Sequence, residues 1–126
     1  MVQYIVDKRV WVDIEFFNIL ADLFKTTRGL IPRYELCTAI IEEWLNSGGN
    51  IKVGNIRLDT NISKGVYRHC LWLIIEENIW NEFLNHCSAR GLNINVAFRI
   101  AVYNFIEMVN LWDGNYDELL IYFFEV

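Results

Sequence analysis

The chain has 126 residues, 54% of them apolar and 15% aromatic, and carries a net charge of −5. That supplies enough apolar surface for one or two small packed domains and excludes an intrinsically disordered chain. The charge is uneven: residues 1–69 hold nine Lys/Arg against eight Asp/Glu, whereas residues 70–126 hold only Arg90 and Arg99 against eight acids, so a basic face for nucleic acid has to come from the first half.

Residues 2–6 (Val-Gln-Tyr-Ile-Val) have strand composition, and Lys8-Arg9 follow them. Residues 10–14 alternate, which puts Val10, Val12 and Ile14 on one face of a strand and Arg9, Trp11 and Asp13 on the other. Phe16, Phe17, Leu20, Leu23 and Phe24 then fall at helical spacing, up to a corner at Arg28-Gly29-Leu30. A second helix runs from Pro32, suited to a first turn, to about Leu45, and residues 46–50 (Asn-Ser-Gly-Gly-Asn) stop it. Residues 51–59 read as a short hairpin around Gly54-Asn55, and residues 60–68 as irregular with a turn at Ser63-Lys64-Gly65.

The pattern then returns. Leu71, Leu73 and Ile75 alternate as a strand, and Ile79, Trp80, Phe83, Leu84 and Cys87 mark one helix face. A second corner, Arg90-Gly91-Leu92, lies 62 residues after the first. Asn93 is a suitable N-cap for a last long helix that ends near Asn110. At the same offset Leu36 matches Phe98, Ala39 matches Ala101, Ile40 matches Val102 and Trp44 matches Ile106. A duplicated helix face with a small residue at its centre lets two helices approach closely. Asp113-Gly114-Asn115 reads as a turn, and the apolar residues 118–126 as a terminal strand.

Strand, helix, glycine corner, helix resembles the ribbon-helix-helix family of β-ribbon DNA readers. The resemblance covers residues 9–45 and again residues 71–106, more than half of the chain. It implies an α+β fold of two ribbon-helix-helix-like units in one chain, with extra short strands and a hairpin. The units would be residues 1–47 and 70–110, separated by a basic hairpin linker at 48–69 and followed by a C-terminal strand at 111–126. In the family two chains pair their strands into the ribbon; here residues 10–14 would lie antiparallel to residues 71–75, within one chain or between two. Leu36, Ala39, Ile40, Phe98, Ala101 and Val102 would then be buried together around an approximate two-fold axis.

The resemblance implies a DNA-binding transcriptional regulator, with Lys8, Arg9, Arg33, Lys52 and Arg57 as its contacts to duplex DNA. The outward ribbon face argues the other way. Arg9, Trp11 and Asp13 in the first copy and Cys70, Trp72 and Ile74 in the second include one typical base reader. The alternative is an acidic protein of viral or plasmid type, an inhibitor or assembly factor, that keeps the scaffold and binds another protein through Trp11, Trp72 and Ile74. Those three residues either lie beneath another element or form an exposed patch of the kind that anchors protein partners.

No apolar run approaches the ~18 residues of a membrane span, and the N-terminus lacks a signal-peptide pattern, so the expected setting is cytoplasmic, without a membrane partner. Cys37, Cys70 and Cys87 read as reduced thiols. His69-Cys70 and His86-Cys87 lack zinc spacing, and Glu42-Glu43 and Glu76-Glu77 read as solvated carboxylates. No phosphate loop or nucleophile arrangement is present. The expectation is therefore a non-enzyme without cofactor or metal, able to pair as a homodimer.

Overall fold

The computed structural model describes residues 4–27, 30–50, 52–53, 56–57, 68–109 and 117–124. Strand β1 (Ile5–Val12) leads into helices α1 (Ile14–Thr27) and α2 (Arg33–Asn46). Two short strands follow, β2 (Lys52–Val53) and β3 (Ile56–Arg57). Strand β4 (His69–Glu76) then leads into α3 (Glu77–Arg90) and α4 (Ile94–Val109), and α5 (Asp117–Phe124) comes last. The fold is mixed α+β, and the order strand, helix, helix is traversed twice.

β1 and β4 pair antiparallel as a two-stranded ribbon, with Arg9 opposite Trp72, Val10 opposite Leu71 and Trp11 opposite Cys70. Period-two alternation explains why this ribbon has one dry face. Val10, Val12, Leu71, Leu73 and Ile75 are buried on it. Helices α2 and α4 close over that face and over each other, α2 lying along β4 and α4 along β1. Leu36, Ile40, Phe98, Ala101 and Val102 are all fully buried there, and Ala39 is half-buried. Each large apolar side chain taken out of water here contributes ~1.5–3 kcal/mol. The buried residues of both halves form one cluster, with Phe16, Leu20 and Leu23 of α1 and Trp80 and Phe83 of α3 in it.

The helix ends show why the chain turns where it does. Gly91 sits at φ 64° after α3. The Leu92 N–H donates to the Cys87 carbonyl and the Gly91 N–H to the Ser88 carbonyl, at 2.9 and 3.3 Å, the paired bonds of a Schellman end that needs a left-handed residue. Gly48 and Gly49 end α2 in the same manner, through Leu45 and Trp44. The Asn93 side chain accepts from the Asn95 N–H at 2.8 Å and so caps α4. Pro32 takes the N-cap position of α2, one residue before its first turn.

Several expectations are corrected. The two short strands expected at 2–6 and 10–14 are one strand, Ile5–Val12, because alternation continues through Lys8-Arg9. Asp13 is not on the ribbon: its carbonyl accepts the first bond of α1, from the Phe17 N–H at 2.9 Å, so the helix has already begun and Ile14 points to solvent at 50% exposure. The expected terminal strand is helix α5. A short apolar run has no period that separates strand from helix, and the ribbon edges are engaged at three positions. The Trp11 N–H donates to Asn95 Oδ1 at 2.8 Å, the Glu76 N–H donates to Thr38 Oγ1 at 3.1 Å, and the Ile74 N–H is directed to the Cys37 sulfur. A helix satisfies its own backbone and needs no free edge.

The hairpin expected over 51–59 has its two strands, with Lys52 opposite Arg57 and Val53 opposite Ile56. The Gly54-Asn55 turn, the first corner at Arg28-Gly29, the turn at Ser63-Lys64-Gly65 and the turn at Asp113-Gly114-Asn115 lie outside the described residues. Among the described residues no helix is long and apolar enough to cross a membrane.

Candidate functional site

The outer face of the ribbon carries every second residue of each strand: Ile5, Asp7, Arg9 and Trp11 from β1, and Cys70, Trp72, Ile74 and Glu76 from β4. Trp11 is 44% exposed and Trp72 53%; among the described residues neither lies beneath another element. Ile5 is also exposed, and Ile74 and Cys70 are half-buried. Arg9 faces its cross-strand neighbour Trp72, the guanidinium carbon 5.1 Å from the ring centroid, a cation–π contact on the surface. Within the paired strands Arg9 is the one cation of this face, set against Asp7 and Glu76. Arg68, exposed, precedes β4.

The residues expected to bind DNA are not brought together. Lys8 points to the opposite side of the ribbon from Arg9 and pairs across to Leu73. Arg33 opens α2 with its guanidinium carbon 4.2 Å from the Phe24 ring centroid. Lys52 and Arg57 belong to the hairpin, which lies against α4; their side chains lie outside the described residues. Arg99 is committed to the fold, its Nε donating to Asp13 Oδ1 at 3.1 Å while the guanidinium lies over the rings of Phe16 and Tyr103. Trp11, Trp72 and Ile74 by contrast do share one continuous face.

Three members of this face escape the sequence reading. Ile5 and Asp7 are found by extending the alternation of 10–12 back through Lys8-Arg9. Glu76 is found by extending β4 to its end. A second feature adjoins the face. A shallow cleft of about 340 Å³ opens where α2, the end of β4 and α5 meet. Its walls include Tyr34, Glu35, Glu42, Glu76 and Phe123, and no Lys or Arg is among the described residues that line it. Beside it the Tyr122 hydroxyl donates to Glu43 Oε1 at 2.6 Å; burial, then that bond and the carboxylates of Glu43 and Glu42, push the phenol well above its usual range.

The thiols divide by environment. Cys37 and Cys87 are buried, and desolvation pushes each up to about 11. Cys70 stands half-exposed on the ribbon face. His69 packs against Phe17, ring centroids 5.6 Å apart. Among the described residues no three His, Cys, Asp or Glu side chains stand where they would hold a metal ion.

Compared with protein-family models, with curated proteins and with solved structures, the chain finds no match.

Proposed function

We propose that this chain is a single-chain ribbon-helix-helix-like scaffold whose ribbon binds a protein partner instead of reading DNA. The repeated order of strand, helix and helix supports the scaffold half of this reading, as does the antiparallel pairing of the two strands. The ties at the strand ends support it too. Asp13 after β1 is held by Arg99 of the second half, and Glu76 at the end of β4 by Thr38 of the first. Each strand is thus clasped by the helix of the other copy, as in a two-fold exchange.

The exposure of Trp11 and Trp72 on the ribbon carries the functional half. A ribbon in the major groove needs donors and acceptors at the base edges. Seven of the eight outward positions here are apolar side chains, a thiol or acids, and the single cation lies over an indole. Seating indoles and isoleucines against base edges leaves polar groups unpaired, and Asp7 and Glu76 would meet phosphate charge. Trp and Arg in one patch are the residue types enriched where protein interfaces concentrate their energy.

The test compares wild type, Arg9→Ala with Arg33→Ala, and Trp72→Ala, each checked for fold by circular dichroism. The proposal expects no sequence-specific gel shift from any of them, and loss of a captured protein partner with Trp72→Ala. A specific shift by wild type, steeply weakened by salt and abolished by the double arginine variant, would restore the DNA-regulator reading.

A further inference from the structure

Resting on the reading of the ribbon as a protein-binding face, we infer that its partner is a short basic–apolar segment of another protein, which lays apolar side chains on Trp72 and Ile74 and places an Arg or Lys in the cleft beyond Glu76.

Two surfaces of different character adjoin at the end of β4. Trp72, Ile74 and Glu76 are alternate residues of β4 and share its outer face, so the first and last are ~13 Å apart at ~3.3 Å per strand residue. Glu76 also forms part of the cleft wall, with Glu35 and Glu42 from α2. Three acidic residues therefore line the cleft at one end of an apolar strip. Tyr34 and Phe123 line the same cleft, and aromatic side chains are residues on which a guanidinium or ammonium stacks. A segment of about five extended residues spans from indole to carboxylates.

Other occupants fit less well. An anionic duplex would meet these carboxylates directly. A second copy of the chain would offer from its own ribbon the single cation Arg9, which already lies over Trp72. The ribbon face is only eight residues long and two strands wide, ~26 Å by ~10 Å, far below the ~800 Å² per partner of a standard stable interface. A segment that uses both strip and cleft matches the shape and the charge.

The experiment is a selection of random twelve-residue displayed peptides against the full chain, followed by affinity measurement of the enriched peptides on wild type, Trp72→Ala and Glu35→Gln with Glu42→Gln. Both glutamates are exposed on α2, and circular dichroism verifies the fold of each variant. We expect enriched peptides to carry Arg or Lys near large apolar residues, to bind at least tenfold more weakly to either variant, and to weaken as salt rises. Neutral or acidic peptides that still need Trp72 would overturn the basic segment and leave the protein-binding ribbon standing. Peptides indifferent to both variants, or no enrichment, would overturn the ribbon reading as well. A concentration-dependent dimer in sedimentation, lost in Trp72→Ala, would assign the face to a second copy and overturn the inference.

Discussion

At the scale of single residues, Gly49 and Gly91 have the same backbone conformation, φ 63° and 64°, and quite different surroundings. A Cβ on Gly91 meets nothing within 4 Å. A Cβ on Gly49 would land inside the imidazole of His86. That ring is held by Trp44, centroids 5.1 Å apart at 77°. The Trp44 indole in turn donates to the Asn50 carbonyl at 3.0 Å, and Arg90 donates to the Gly49 carbonyl at 3.2 Å. The neighbour has little room to give. Gly91→Ala should cost ~1–2 kcal/mol, the left-handed penalty alone. Gly49→Ala should cost ~2–4 kcal/mol, adding a clash to that penalty. Urea denaturation of the two variants reads the difference, and His86→Ala should recover part of the loss in the Gly49→Ala background. Equal costs would mean that the imidazole moves aside freely.

The cysteines make a second residue-scale prediction. Cys37 and Cys87 have folded-state values raised to about 11 from 9.0 by desolvation. The native state then holds protons that the unfolded state releases above pH ~9, so this contribution to stability is intact below about 9 and is lost as pH rises toward about 11. Denaturant midpoints should therefore fall between pH ~8 and pH ~10.5, and the fall should shrink in Cys37→Ala with Cys87→Ala. A thiol reagent on the native protein at pH ~8 should label Cys70 first, with the other two reacting only after unfolding. Rapid labelling of all three in the native state would contradict the dry environment of the buried pair.

At the scale of elements, the limits of the strands are set by what holds their ends. Asp13 leaves the ribbon to start α1, and its carboxylate is taken by Arg99; the two side chains are 16% and 20% exposed. Pairs this sheltered lose more when one partner is removed than when both are. Asp13→Ala and Arg99→Ala should each destabilise, with a coupling of ~1–2 kcal/mol in the double-mutant cycle; additive losses would make the contact incidental. The crossing of α2 and α4 gives a parallel case. Ala101 is fully buried between them, so Ala101→Leu should cost ~1–3 kcal/mol by overpacking, and an unchanged melting curve would argue for slack there. The helical period of 16–24 and 79–87, the glycine ending α3 and the alternation of 71–75 were legible in the sequence because each is local. The docking of residues 117–124 was not. Whether an apolar sextet becomes strand or helix turns on what it docks against, here α4 and, through Tyr122, Glu43 of α2, the latter distant in sequence.

At the scale of the whole molecule, the candidate site shows the same division. Trp11, Trp72 and Ile74 could be named from alternation, but their exposure depends on no other element crossing the ribbon. The cleft draws Glu35 and Glu42 from α2, Glu76 from β4 and Phe123 from α5, a meeting that no spacing in the chain announces. The core is shared in the same way. Val10 and Val12 of the first half pair across to β4 and lie under α4, while Leu73 and Ile75 of the second half lie under α2. Neither half can bury its own strand face alone, and each alone exposes helix faces built around Phe16, Leu36 and Ile40 or Phe83, Phe98 and Phe105. A chain cut between β3 and β4 should therefore give two fragments with little fixed structure apart that regain the native circular dichroism when mixed at one to one. Their association should be tight, because the entropy of joining is set against nearly the whole apolar core. If each fragment instead folds by itself with a cooperative melt, the two repeats are independent domains, and the single ribbon on which the proposed binding face depends is a docking of finished units, not the product of one folding event.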